Sequence, residues 1–133
     1  MITLVQYPNQ ITNSGPNYNI AIRHARMLAG KKVFRCPHYT TSTIGIMSEL
    51  AIAAGGVLYL EDFQRFSRWS LKDLFSAWQL MDPEHRPHIV IKAQTGMVDD
   101  SGSRYANASW HQIGDPDFYE IIPRIDEHII VTK

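Results

Sequence analysis

Two adjacent carboxylates, Glu61 and Asp62, follow the apolar run VLYL in the stretch GGVLYLEDFQRFS, residues 55–67. The run is continuous rather than alternating, which is typical of a strand covered on both faces of a parallel sheet. Open α/β sheets bind their ligands outside the carboxyl ends of the strands. Carboxylate oxygens at such a position are suitable ligands for Mg²⁺. Glu61 and Asp62 are therefore the first candidates for a catalytic or metal site.

Five short apolar runs, separated by helical patterns, must position these acids. The runs lie at residues 2–6, 33–36, 57–60, 88–93 and 128–131. Helices are predicted from Asn17 or Tyr18 to Gly30, over 44–54 behind hydroxyl residues that can cap it, and over 69–81. This alternation predicts one α/β domain over residues 1–133, with three layers and a mainly parallel five-stranded sheet.

The third predicted helix carries large apolar residues at helical spacing, and we expect them to face the core: Trp69, Leu71, Leu74, Phe75, Trp78 and Leu80. A long polar stretch, residues 94–117, is a candidate functional loop or a partly disordered insertion. A short helix over 118–123 is expected to follow it.

Composition excludes several classes of protein. Lys plus Arg and Asp plus Glu both number 13, so no overall charge favours nucleic acid or a membrane surface. The single cysteine, Cys36, cannot form an intrachain disulfide or a cysteine-rich zinc site, and we expect it to be buried. No apolar run approaches the roughly 18 residues of a membrane span, and the N-terminus does not look like a signal peptide. We therefore expect a soluble, cytoplasmic protein.

Three separated stretches resemble the AAA+ ATPases of the magnesium-chelatase and competence-associated type. They are FRCPHYTTS at 34–42, GGVLYLEDFQRFSRWSLKDL at 55–74, and IIPRIDEHIIV at 121–131, in the order in which the family has them. The resemblance implies a three-layer α/β/α core like that of P-loop NTPases, with strand order 5-1-4-3-2. The family's helical lid has no counterpart after the fifth strand at 128–131, so we expect the lid to be missing.

The resemblance also implies roles for individual residues. Glu61 takes the place of the Walker B aspartate that holds magnesium, and Asp62 that of the glutamate that orients water, so their order is reversed. Gln94 or Thr95 takes the sensor position after the fourth strand. Arg124 takes the place of the arginine finger, which acts on a neighbouring subunit's nucleotide.

The segment in the place of the phosphate loop, YPNQITNSGPNYN at 7–19, has one glycine and no lysine. A phosphate loop holds the triphosphate with backbone amides and a lysine at the start of a helix. The residues left to cradle a nucleotide are Asn13, Ser14, Gly15 and Asn17. The missing lysine, and Pro16 without an amide hydrogen, argue against tight triphosphate binding.

Three functions are compatible with these patterns. The leading hypothesis is a degenerate AAA+ core without ATP hydrolysis or cofactor, which binds proteins: an intact AAA+ ATPase or a second copy of this chain. The first alternative is an ATPase with an unconventional phosphate loop, whose Mg²⁺ is held by Glu61 and Asp62. The second is a nucleic-acid-binding accessory factor, for which Arg65, Arg68 and Lys72 around Trp69 are the candidate contacts.

Overall fold

The computed structural model of the chain describes residues 1–7, 19–94 and 120–131, which form a five-stranded sheet and three α-helices. The strands are β1 (Ile2–Tyr7), β2 (Phe34–Arg35), β3 (Val57–Leu60), β4 (His88–Gln94) and β5 (Glu127–Ile130). Every pairing is parallel, and the order across the sheet is β2-β3-β4-β1-β5. The predicted α/β class and strand order are therefore confirmed, and the sheet is parallel throughout.

Helices cover both faces of the sheet. The helix α1 (Ile20–Ala29) packs through its alanines against one face, whereas α2 (Thr43–Ile52) and α3 (Arg68–Leu80) pack against the other. Gly30, with a φ of 56°, ends α1 in a conformation that side chains disfavour. The Ser42 side chain caps α2 by accepting a hydrogen bond from the Gly45 amide at 3.1 Å. These helices connect parallel strands, as the sequence pattern predicts.

The expectation that all large apolar residues of α3 face the core is wrong for two of them. Trp69 is 72% exposed and Leu80 is 88% exposed. The buried stripe of α3 consists of Ser70, Leu71, Leu74, Phe75 and Trp78. At 3.6 residues per turn, Trp69 and Leu80 lie on the opposite side of the helix from this stripe. Apolar character alone therefore overstated the width of the buried face.

Close packing between β2 and β3 fixes the strand that leads to the two acids. A Cβ on Gly56 would collide with the carbonyl of Val33, which also accepts a hydrogen bond from the Val57 amide at 2.9 Å. Arg35 in β2 donates two hydrogen bonds to Glu49 in α2, at 2.6 and 2.7 Å. These bonds lower the pKa of Glu49, so the ion pair ties the short edge strand to its helix.

Two expectations fall partly or wholly outside the described residues. The polar stretch 94–117 lies almost entirely there. The short helix expected over 118–123 is described from residue 120 onward, and within 120–123 the backbone is helical at Glu120 and Ile121. None of the helices in the described ranges is long and apolar enough to cross a membrane. The extent of the domain over residues 1–133 stays a prediction.

Candidate functional site at the carboxyl edge of the sheet

Glu61 and Asp62 lie at the carboxyl end of β3, where the sequence places them, and both are half-buried. The pairing of β3 with β4 ends at Leu60 and Ile91. One step further along the two strands, Glu61 comes level with Lys92 of β4. The acids therefore end one strand, and a lysine stands on the strand beside it.

Lys92 is almost fully buried, with 8% of its surface exposed. Its side chain lies on the α1 face of the sheet, and its Nζ is 5.1 Å from the centre of the Tyr7 ring. Burial lowers the pKa of Lys92, while the carboxylates of Glu61 and Asp62 act in the opposite direction and favour its charged form. The structure thus brings a cation into electrostatic range of both acids.

Tyr7, the last residue of β1, fills the space at the start of α1. Its side chain is 1% exposed, and its hydroxyl accepts a buried hydrogen bond from the Ala21 amide at 3.1 Å. Asn19, which precedes the helix, makes no side-chain capping bond. A helix start has free amides that commonly bind anions, including the phosphates of nucleotides. Here one of these amides, that of Ala21, already donates its hydrogen bond to the hydroxyl of Tyr7.

Cys36 follows β2 and is exposed, so the expectation of a buried thiol is wrong. The edge strand β2 ends at Arg35 and Pro37 follows closely, so Cys36 projects beyond the ladder. Partial desolvation of the sulfur, together with the carboxylates of Glu61 and Asp62, raises the pKa of Cys36 to about 11. The thiol is therefore protonated at neutral pH and is a poor nucleophile.

Arg124 lies at the other end of the sheet. It precedes β5, at the amino edge, whereas the acids lie at the carboxyl edge. Its side chain is 80% exposed, and its Nε is 2.9 Å from Oδ1 of Asp126. Asp126 also accepts a hydrogen bond from the Ile2 amide at 2.8 Å. Arg124 therefore forms a local surface ion pair and does not meet Glu61 or Asp62 within one chain.

The remaining predicted site residues, Asn13, Ser14, Gly15, Asn17 and Thr95, lie outside the described residues. Among the residues that the structure describes, no group of three or more His, Cys, Asp or Glu side chains is arranged to hold a metal ion. Glu61 and Asp62 would need further oxygen ligands from elsewhere to hold Mg²⁺. Both assignments stay predictions.

Sequence reasoning missed two buried polar side chains of this site, Tyr7 and Lys92. The missing phosphate-loop lysine directed attention to the nearest lysines along the chain, Lys31 and Lys32, at the far end of α1. The available signal was the lysine inside the apolar run HIVIKAQ of β4. That strand lies between β1 and β3, so one of its side chains can reach the ends of both.

No family model, curated protein or solved structure shows a significant match to the chain.

Proposed function

We propose that this chain is a degenerate AAA+ domain of the magnesium-chelatase-like type, which does not hydrolyse ATP and acts as a protein-binding or regulatory module. Its partner would be an intact AAA+ ATPase or a second copy of the chain, in the cytoplasm. The three stretches that resemble the family support this origin. The strand order, with β4 between β1 and β3, is the one that the resemblance implies.

The hydrogen bond from the Ala21 amide to the Tyr7 hydroxyl is the main support for the proposed loss of ATP hydrolysis. In a phosphate loop the amides at this helix start bind the triphosphate. A phosphate that took the same place would have to displace the hydroxyl of Tyr7, whose side chain is 1% exposed and is part of the core. Moving a buried aromatic ring into water costs several kilocalories per mole, which opposes nucleotide binding.

Lys92 also supports this proposal, because it lies near the two acids that would bind Mg²⁺. In an active site, Mg²⁺ and the phosphate-loop lysine supply the positive charge that nucleotide phosphates require. Here a lysine built into β4 lies within electrostatic range of Glu61 and Asp62. The carboxylates are thus partly compensated by the chain itself, and a metal ion gains less by binding to them.

Calorimetry and thermal denaturation with ATP and Mg²⁺ test the proposal. We expect no heat of binding and no shift in melting temperature up to millimolar ATP, for the wild type and for the Glu61→Ala/Asp62→Ala variant alike. Micromolar binding that the double substitution abolishes would contradict the proposal and favour an ATPase with an unconventional phosphate loop. Analytical ultracentrifugation of the full chain, over a range of concentrations, tests whether a second copy is the partner.

A further inference from the structure

The first 48 residues of the chain contain no acidic side chain. All 13 Asp and Glu residues lie in residues 49–133, whereas five of the 13 Lys and Arg residues come before them. Such a charge asymmetry between two parts of a chain is typical of proteins that contact nucleic acid or a membrane surface. Four of the five cations lie in α1 or in the turn directly after it, and we call them the basic surface of α1: Arg23, Arg26, Lys31 and Lys32.

The basic surface of α1 faces water, and all four of its residues are exposed. The buried residues of the helix are Ala21, Ala25 and Ala29. At about 100° per residue, Arg23 lies on the side of α1 opposite these alanines. The Gly30 amide donates a hydrogen bond of 3.0 Å to the Arg26 carbonyl. The Lys32 amide donates one of 2.8 Å to the Ala29 carbonyl, so the turn with the two lysines is fixed to the end of the helix.

None of these four cations has an ionic partner in the part of the chain that the structure describes. No described carboxylate lies within 4.0 Å of any of them. The Arg26 guanidinium carbon is 4.6 Å from the centre of the Phe34 ring, and a contact with a ring face leaves the N–H groups at the guanidinium edge free to donate. The fifth cation, Arg35, is by contrast bound to Glu49.

Two acids at the amino edge of the sheet are each close to a basic side chain. Glu127 Oε1 is 3.0 Å from Nε2 of His24, on the sheet side of α1. Asp126 Oδ1 is 2.9 Å from Nε of Arg124. Neither acid lies within 4.0 Å of the basic surface of α1, as stated above.

Two further acids, Glu61 and Asp62, lie at the carboxyl edge, within electrostatic range of Lys92. Helix α1 begins at this edge, where Ala21 bonds to Tyr7, and ends toward the amino edge, where β2 begins. The lysines of the basic surface therefore lie at the end of the helix far from these two acids.

The charge balance on this side stays positive when every acid named above is counted. There are five such acids and seven cations. The acids are Glu49, Glu61, Asp62, Asp126 and Glu127, and the cations are Arg23, Arg26, Lys31, Lys32, Arg35, Lys92 and Arg124. The other described acids lie in α3, in the turn after it or beside Arg68, together with an equal number of cations: Asp73, Asp82, Glu84 and Glu120, with Arg65, Arg68, Lys72 and Arg86.

We propose that the basic surface of α1 binds the phosphate backbone of double-stranded nucleic acid, without reading its sequence. Lys and Arg contacts with phosphates supply this kind of binding. The surface spans eight residues, or about 12 Å at about 1.5 Å per residue. A duplex has about seven phosphates over that length, enough for all four cations. The inference goes beyond the proposed function and does not rest on it.

Other anionic partners fit this surface less well. Single strands stack their bases on aromatic side chains, but the ring that this surface contacts, Phe34, is half-buried beneath Arg26. Helices that lie on membranes insert a broad apolar face, whereas that of α1 is packed on the sheet and leaves only Met27 and Leu28 exposed. Protein interfaces are enriched in aromatic residues and depleted in Lys, and α1 has no aromatic residue.

Fluorescence anisotropy of the full chain with labelled duplexes of about 20 base pairs tests the proposal. We expect a dissociation constant on the order of 10⁻⁴–10⁻⁶ M, equal for two duplexes of unrelated sequence. The logarithm of the binding constant should fall against that of the salt concentration with a slope of about −3.6, because each of four neutralised phosphates contributes about −0.9. DNA and RNA duplexes are compared, and the one that binds more tightly identifies the class of ligand.

Substitutions in the basic surface of α1 then identify the contacts. Arg23→Gln/Arg26→Gln and Lys31→Gln/Lys32→Gln each remove two charges. Each pair should weaken binding about tenfold or more and make the salt slope shallower by about 1.8. Lys31→Arg/Lys32→Arg keeps both charges and should retain the affinity and the slope, which a purely structural role of the lysines at the helix end would not require.

The matched control is Arg65→Gln/Lys72→Gln, which removes two exposed cations from the other helix layer and should change neither affinity nor slope. The inference would be overturned by absence of binding at about 50 mM salt, by a slope that the α1 variants leave unchanged, or by equal weakening in the control. Tighter binding of oligothymidine, of vesicles containing phosphatidylserine or of a poly-Glu peptide through the same residues would also overturn it. ATP binding that depends on Glu61 and Asp62 contradicts the proposed function alone, so the two failures can be told apart.

Discussion

On the α1 face of the sheet, polar side chains are buried and bound to the chain itself, whereas the starts of α2 and α3, on the other face, expose apolar side chains to water. Tyr7 and Lys92, on the α1 face, are 1% and 8% exposed. Ile44 and Trp69, at the helix starts on the other face, are 81% and 72% exposed. Each arrangement reverses the usual preference for apolar residues inside and polar residues outside.

This contrast suggests where binding energy is available. Buried polar groups are costly unless they have partners, and once they have them they oppose exchange for a ligand. Exposed apolar side chains gain free energy when a partner covers them. The α1 face is therefore suited to holding the fold together, and the exposed starts of α2 and α3 are suited to contact with another molecule. Substitutions on the two sides should accordingly differ in what they damage.

The two tryptophans of α3 give the largest expected difference. Trp78 is 4% exposed and donates a hydrogen bond of 2.7 Å to the Pro87 carbonyl. We expect Trp78→Ala to lower the free energy of unfolding by about 3–5 kcal/mol, because it leaves a cavity in the core. Trp69→Ala, on the exposed side of the same helix, should change the free energy of unfolding by less than about 0.5 kcal/mol. Urea denaturation followed by circular dichroism measures both.

A substantial loss of stability in Trp69→Ala would break the comparison. It would mean that Trp69 packs against residues of its own chain and is not available to a partner. The substitution Leu80→Ala serves as the reference for an exposed apolar residue of the same helix, since Leu80 is 88% exposed.

Acid should destabilise the protein through the α1 face. His88 is half-buried there and hydrogen-bonded to Thr3 at 2.8 Å. Burial lowers the pKa of His88 to about 4; the Met1 amino group and His24 act in the same direction, and Glu127 and Asp126 against it. The unfolded chain takes up this proton near pH 6.5, so stability falls as the pH drops from 6.5 to about 4 and levels off below that.

The expected loss over this pH range is about 3 kcal/mol, from roughly 1.4 kcal/mol for each unit of pKa. It is measured as the difference in unfolding free energy between pH 7 and pH 4 for the wild type and for His88→Gln, which keeps a group able to bond Thr3. The substitution His38→Gln, in an exposed loop, is the matched control for the replacement of a histidine by glutamine. Equal acid sensitivity in the wild type and His88→Gln would refute the assignment.

Much of the fold could be predicted because it depends on local patterns. The run VLYL is continuous and apolar, and β3 is buried on both faces as that pattern requires. Gly30, Ser42 and Pro37 mark the ends of elements by local conformational preferences. The strand order came from the resemblance, because no local pattern specifies which strands are neighbours.

The chemistry of the site could not be predicted in the same way. Val5 is the neighbour of Lys92 in the sheet, although 87 residues separate them along the chain. Such contacts exist only after the strands are arranged, so a search of the segment between β1 and α1 could not find that lysine. The exposure of Trp69 was missed for a related reason, since a single helix turn does not show how wide its buried stripe is.

Replacing Lys92 should raise the affinity of Glu61 and Asp62 for divalent metal ions. The substitution Lys92→Met keeps most of the length of the side chain and removes its charge, so Glu61 and Asp62 lose a neighbouring cation. At an effective dielectric constant near 20, a nearby unit charge is worth on the order of 1–3 kcal/mol, so we expect about tenfold tighter binding of Mn²⁺. Paramagnetic broadening of backbone NMR signals near the two acids measures the affinity.

The control for this experiment is Lys72→Met, the same substitution in α3, which should not alter Mn²⁺ binding. Adding Glu61→Ala to Lys92→Met should abolish the gain. An unchanged affinity in Lys92→Met would mean that Lys92 does not compensate the acids, and the argument from charge against metal binding would fail.

The hydroxyl of Tyr7 gives the smallest expected effect and the most direct test of the buried side. In Tyr7→Phe the ring still fills its place, but the Ala21 amide loses its acceptor. A buried amide without a partner costs about 1–2 kcal/mol, and hydrogen exchange of Ala21 should become faster. Tyr39→Phe removes a hydroxyl that accepts a bond from Arg65 at 3.4 Å on the exposed surface, where water can replace it. If the two variants were equally stable, the buried hydrogen bond would contribute no more than the exposed one, and the helix start would be free for another ligand.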